Sequence, residues 1–130
     1  MEETMNKKPK ILYVDDEKMN TLVFQLTFSK CFEVLVADSG MEGIEIFQNE
    51  PDIKFVISDM KMPVMNGLEF IRKIKSVSKN IPCTILSGYQ HSPEIISALD
   101  SGEIVDYIMK PFNKTAIKHL INKHINHNCN

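Results

Sequence analysis

Short apolar runs that each stop at a polar side chain, separated by stretches of helical period, constrain this chain more than any other feature. Ile11-Leu12-Tyr13-Val14 stops at the acidic pair Asp15-Asp16, Phe55-Val56-Ile57-Ser58 at Asp59, Cys83-Thr84-Ile85-Leu86 at Ser87, and Tyr107 to Met109 at Lys110-Pro111. Glu33 to Ala37 adds a fifth β-rich run. Between the first two runs, Met19, Leu22, Val23 and Leu26 recur at helical spacing and predict a helix over residues 17–29. Ser39 reads as the N-cap of a second helix carrying Met41, Ile44 and Phe47 inward, with Pro51 as a stop. Leu68, Ile71 and Ile74 share one face of a third. Ser92-Pro93 supplies a cap and a first-turn proline to a fourth, with Ile95, Ile96 and Leu99 inward and Gly102 at its end. A fifth spans about Asn113 to Asn126 with Ile117, Leu120, Ile121 and Ile125 facing in.

Strict alternation of this kind requires a parallel sheet covered on both faces, with right-handed crossovers. The expectation is a three-layer (βα)5 flavodoxin-like fold with strand order 2-1-3-4-5, in which strands one and three meet at the topological switch point. Ligands of open α/β sheets bind there, outside the carboxyl ends of the strands. The polar residues that close the runs are therefore expected to converge on one pocket. The loop Met60 to Gly67, with Pro63 and the Asn66-Gly67 turn signal, hangs over it. Its methionines, Met60, Met62 and Met65, read as adaptable packing.

Three carboxylates at adjacent strand ends repel one another, and a divalent cation removes the conflict. Oxygen ligands suit Mg²⁺ or Mn²⁺ better than zinc, since His91 is the one Cys or His in these loops. His119, His124, His127 and Cys129 match no strong zinc spacing and read as a solvated helix end, with the tail after Ile121 frayed.

A chain of 130 residues, 43% of them hydrophobic, fits one domain with a real core. Its net charge of −2 leaves no basic footprint for nucleic acid. No stretch approaches 18 uninterrupted apolar residues, which argues against a membrane span and for a cytoplasmic protein. Cys31, Cys83 and Cys129 lie far apart without paired spacing; this predicts free thiols in a reducing compartment, with Cys83 a small buried hydrophobe.

Asp15-Asp16, Asp59, Ser87 and Lys110-Pro111, in this order, resemble the receiver domain of bacterial two-component response regulators, chemotaxis regulators among them. Pro63, Gly67 and Tyr107 agree with it, and the resemblance spans residues 9–126, leaving 1–8 as an extension and 127–130 as a tail. It implies that Asp59 accepts a phosphoryl group from a histidine kinase or phosphotransfer protein, assisted by Lys110 and Ser87. It implies metal ligation by Asp16, Asp59 and the backbone carbonyl of Lys61, with Asp15 holding a bound water, and a cis peptide at Lys110-Pro111. Ser87 and Tyr107 would form the switch, the ring moving inward from a more exposed position, and Lys61 and Tyr89 would tune the phosphoryl lifetime. The protein would be a switch rather than an enzyme, catalysing only its own phosphorylation and dephosphorylation, and would act on a downstream protein or an output domain. The face made by the fourth helix, fifth strand and fifth helix could support a dimer. The connection Ser101 to Tyr107, on that face, is one residue longer than the family's common form.

Two other readings compete. A Mg²⁺-dependent phosphohydrolase working through an aspartyl phosphate would resemble Asp-x-Asp at the nucleophile, where this chain has Lys61 in the second position. A phosphorylation-independent interaction module would have lost Asp59, the acidic pair or Lys110, and all are present.

Overall fold

The computed structural model describes residues 7–88 and 92–129. Five strands and five helices alternate: β1 (Lys10–Val14), α1 (Lys18–Phe28), β2 (Glu33–Ala37), α2 (Gly40–Asn49), β3 (Ile53–Ser58), α3 (Gly67–Val77), β4 (Cys83–Ser87), α4 (Pro93–Ser101), β5 (Asp106–Met109) and α5 (Lys114–Ile125). All strand pairs are parallel, in the order β2-β1-β3-β4-β5, as the alternation predicts.

The period-2 alternation of side chains divides the interior into two layers. Leu12, Val14, Val56, Cys83 and Ile85 face one side and pack with Leu68, Phe70, Ile71 and Ile74 of α3 and Ile95 and Ala98 of α4. Ile11, Tyr13, Phe55, Ile57 and Leu86 face the other and pack with Phe24 and Phe28 of α1 and Ile117, Leu120 and Ile121 of α5. Met60, Met62 and Met65 lean on the first layer, the packing role their flexibility suits. Cys83 is buried and free, and burial pushes its thiol up to about 12.

The caps follow the sequence signals. Ser39 accepts from the Glu42 amide, Ser92 from the Ile95 amide and Asn113 from the Ala116 amide, and Asn66 with Glu69 forms a reciprocal capping box. Gly102 closes α4 in the left-handed region at φ 83°, where a Cβ would be strained. In the connection that follows, Glu103 pairs with Arg72 of α3 at 2.9 Å, and Ile104 is buried.

Four expectations are corrected. The α1 residues Met19, Leu22, Val23 and Leu26 do form a helix, yet all four lie exposed, and Thr21, Phe24 and Phe28 make its buried face. Met41 on α2 and Ile96 on α4 also face solvent rather than the core. The chain after Ile121 is not frayed: α5 continues to Ile125, Asn126 turns it in the left-handed region, and the His127 amide donates to the Asn122 carbonyl at 3.0 Å. Finally, Cys31 and Cys129, 98 residues apart in sequence, form a disulfide. Their separation hides what the fold does: it brings the α1–β2 corner beside the end of α5. The inference of a reducing compartment from unpaired cysteines falls with it.

Candidate functional site

The carboxyl ends of β1 and β3 lie side by side, because the order β2-β1-β3 makes them neighbours: Val14 pairs with Ser58, and the Asp59 amide donates to the Val14 carbonyl at 2.9 Å. Asp15, Asp16 and Asp59 thereby offer carboxylate oxygens that all lie within 4.8 Å of one another. Asp15 and Asp59 are buried, with 0% and 8% exposure, and Asp16 opens to solvent.

Asp15 is held from several sides. Its Oδ2 accepts from Tyr13 Oη at 2.6 Å, Lys110 Nζ at 2.8 Å and Asn20 Nδ2 at 3.1 Å, and its Oδ1 accepts from the Glu17 amide at 3.0 Å. Burial opposes its ionisation, but the bonds from Lys110, Tyr13 and the Glu17 amide outweigh it and hold the carboxyl below its ordinary value. The same arrangement raises the Tyr13 hydroxyl, first through burial and then through its bond to Asp15. Tyr13 and Asn20 were not legible as site residues, since one reads as part of an apolar strand and the other as an ordinary helix position.

Asp59 is treated differently. One oxygen, Oδ1, accepts from the Met60 amide at 2.8 Å, and Oδ2 faces Lys110 Nζ at 3.5 Å. Burial is the largest influence and raises its pKa, with Asp15 adding to the rise and Lys110 resisting it. Lys110 keeps its proton: burial pulls its pKa down, but the bond to Asp15 and the charge of both carboxylates carry it above normal. The Lys110-Pro111 peptide is cis, as the resemblance implies, and the Lys110 amide donates to the Ser87 carbonyl at 2.8 Å. The ammonium thus reaches across from β5 to β1 and β3.

Gly67 fits against the backbone of Asp59. A Cβ there would stand 2.2 Å from the Asp59 carbonyl oxygen, and the Gly67 amide donates to the Met60 carbonyl at 2.8 Å. Only glycine lets the loop close so tightly. Ser87 is fully buried, and its Oγ has no hydrogen-bond partner among the described residues. Such a hydroxyl is costly unless something arrives to use it. Gly88 beside it leaves open space. Tyr107 departs from expectation: its ring is buried, at 7% exposure, within the layer formed with Ile85 and Ile95, so the inward position is already taken. Lys61 lies exposed two residues after Asp59, while Tyr89 falls outside the described residues.

The donor set is all oxygen, two of its three carboxylates are buried, and burial, with the charge of Asp15 adding to it, raises Asp59. A hard divalent cation fits this cluster. The arrangement as a whole brings together a buried carboxylate with an oxygen facing an ammonium, an adjacent acidic pair and a buried hydroxyl, the kinds of group phosphoryl transfer uses.

Comparison with known proteins agrees. Residues 11–122 match the family described as response regulator receiver domain, and the chain belongs to this family. It is 35% identical to the chemotaxis protein CheY1 of Helicobacter pylori over 84% of this chain and 90% of that protein. It is 32% identical to the two-component response regulator ORR5 of Oryza sativa, covering 88% and 87% respectively. A receiver domain from Clostridium thermocellum superposes with a TM-score of 0.84 at 34% identity, over 90% of this chain and 94% of that one. The chemotaxis protein CheY4 of Vibrio cholerae does so with a TM-score of 0.81 at 28% identity, over 90% and 98%. The protein is a receiver domain of the two-component response regulator type, with the fold and strand order of that class.

Proposed function

We propose that Asp59 accepts the phosphoryl group, and that residues 9–126 form the receiver unit, with 1–8 an extension and 127–130 a tail. The observation that carries the assignment is the contrast between the two buried aspartates. Asp15 is saturated by four donors and locked in place, whereas Asp59 keeps an oxygen directed toward Lys110 and the acidic cleft. As that oxygen bonds to phosphorus, the phosphorus–nitrogen bond of a donor phosphohistidine breaks and the imidazole leaves with the electron pair. Lys110 balances charge on the transferred group, and Ser87 donates its unused hydroxyl to a phosphoryl oxygen. Mg²⁺ or Mn²⁺, held by Asp16, Asp59 and the Lys61 carbonyl with Asp15 behind them, would neutralise the carboxylates and the incoming phosphoryl charge.

The domain is not an enzyme with an external turnover; it catalyses its own phosphorylation and the loss of its phosphate, at a rate tuned by Lys61 and Tyr89. Its phosphodonor is a histidine kinase or phosphotransfer protein, which docks beside the cleft. The exposed strip Met19, Leu22, Val23 and Leu26 on α1 supplies apolar surface there, next to a cavity of about 520 Å³ bordered by Asn20, Val23, Lys110 and Phe112. Ser87 and Tyr107 relay the signal, and because the ring is already inside, the change is one of packing and hydrogen bonding around it. Output passes to a downstream protein or output domain at the α4–β5–α5 face, where Ile96 and Met109 are exposed, or through a dimer on that face. Among the described residues no helix is long and apolar enough to cross a membrane, and a cytoplasmic location rests on the family.

Acetyl phosphate tests the core of this reading. The protein should gain one phosphoryl group with Mg²⁺ and none with a chelator, and should not turn over small phosphate esters. Steady ester hydrolysis would favour the phosphohydrolase instead.

A further inference from the structure

We propose that Cys31 and Cys129 form a reversible thiol–disulfide site that clasps residues 126–129 over the end of α5, and that an external dithiol opens the clasp. Cys31 is buried at the α1–β2 corner, and Cys129 is only partly buried. An incoming thiolate therefore attacks the Cys129 sulfur, and the Cys31 sulfur departs with the electron pair and takes up a proton. The second thiolate of the dithiol then attacks its own sulfur in the mixed disulfide and releases Cys129. Two cysteine thiols are produced and the dithiol becomes a disulfide, so the exchange of two electrons and two protons balances.

Besides the disulfide, and apart from the Asn126 amide donating to the Asn122 carbonyl, the described residues give the segment few polar contacts. The Asn122 Nδ2 donates to the Cys129 carbonyl at 3.0 Å, the His127 amide donates to the Asn122 carbonyl at 3.0 Å, and the His127 ring lies 5.8 Å from that of Phe32. Closure also carries a cost. The Asn122 Oδ1 is buried with no hydrogen-bond partner among the described residues, and water would satisfy it once the segment lifts. A covalent tie thus holds shut a segment that its own polar contacts leave under-satisfied. Opening would free one wall of the groove of about 570 Å³ along α5, where Lys118, His119, Lys123 and His127 lie. Cys83 takes no part, since it is fully buried in β4 within the opposite layer.

The test uses the full chain, oxidised or treated with dithiothreitol, with thiols counted by alkylation in denaturant and amide exchange followed by mass spectrometry. One thiol, Cys83, should react before reduction and all of Cys31, Cys83 and Cys129 after it. Amides 122–129 should exchange roughly tenfold faster after reduction, while those of β1 stay protected. Cys129→Ser should exchange quickly under both conditions, and Cys83→Ser should respond as the unaltered chain does. Three reactive thiols in the oxidised sample, a bridge that includes Cys83, unchanged exchange at 122–129, or loss of β1 protection on reduction would each overturn the clasp. If Cys129→Ser does not fold, the reduced unaltered chain decides.

Discussion

Asp15 and Asp59 sit on adjacent strands, yet their environments push them in opposite directions, and the consequences for stability are opposite in sign. The folded state lowers the pKa of Asp15, so its contribution is present above the ordinary carboxylate range and lost as pH falls through the depressed value. Asp59 is raised, so its contribution is full below that range and lost as pH rises through its folded value. In the absence of divalent metal at pH 7, Asp59→Asn should therefore raise Tm by a few degrees, and the gain should shrink toward pH 4. Asp15→Asn should lower stability by about 2 kcal/mol, because Lys110 and the Tyr13 hydroxyl lose a charged acceptor. Thermal melts by circular dichroism with chelator check both. Ser87 makes a third case: Ser87→Ala should change stability by less than about 1 kcal/mol, since the hydroxyl makes no well-formed hydrogen bond among the described residues. Phosphorylation should remain measurable in that variant, while the chemical-shift response of β5 and α5 to a beryllofluoride mimic weakens.

The elements divide into those that hold the site rigid and those that leave it reachable. The α3 N-terminus is of the first kind, because Gly67 closes against the Asp59 carbonyl and the Asn66–Glu69 capping box fixes the turn. Gly67→Ala should cost about 2–4 kcal/mol and displace Asp59, which denaturant unfolding and acetyl phosphate uptake would show together. Helix α1 is of the second kind, with Leu26 at 70% exposure on its outer strip. Leu26→Asp should alter stability by less than about 0.5 kcal/mol and leave acetyl phosphate uptake intact. Transfer from a phosphohistidine protein should slow roughly tenfold, since that reaction needs a docked partner. The strands were legible because short, near-continuous apolar runs closed by a polar group and alternating with helical stretches leave little choice, and the fold class they define brought the converging aspartates with it. The face of α1 was not legible: it carries apolar residues on both sides, and the core takes Phe24, Phe28 and Thr21 in place of the better-spaced aliphatic strip. Tyr13 and Asn20 were hidden for a related reason. A hydroxyl within an apolar strand reveals its target only when the chain end of β1 is seen beside it.

Across the whole molecule, two layers of core carry the sheet, and within the layer of α1 and α5 a covalent tie joins the α1–β2 corner to the end of the described chain. A link between residues 98 apart removes about 4–5 kcal/mol of unfolded-state entropy in the simplest chain model. Reduction with dithiothreitol should therefore lower Tm by roughly 15 °C in calorimetry. The tie was invisible in sequence because nothing local announces a contact between a helix–strand corner and a distant helix end. The proposed function rests on the Asp59 carboxylate, however, and that carboxylate can be tested directly. After phosphorylation by acetyl phosphate with Mg²⁺, borohydride reduction converts an aspartyl phosphate to homoserine, which peptide mass spectrometry locates. Homoserine should appear at position 59 alone and be missing from Asp59→Asn; its appearance at Asp15 or Asp16, or equal phosphate uptake by Asp59→Asn, would contradict the assignment.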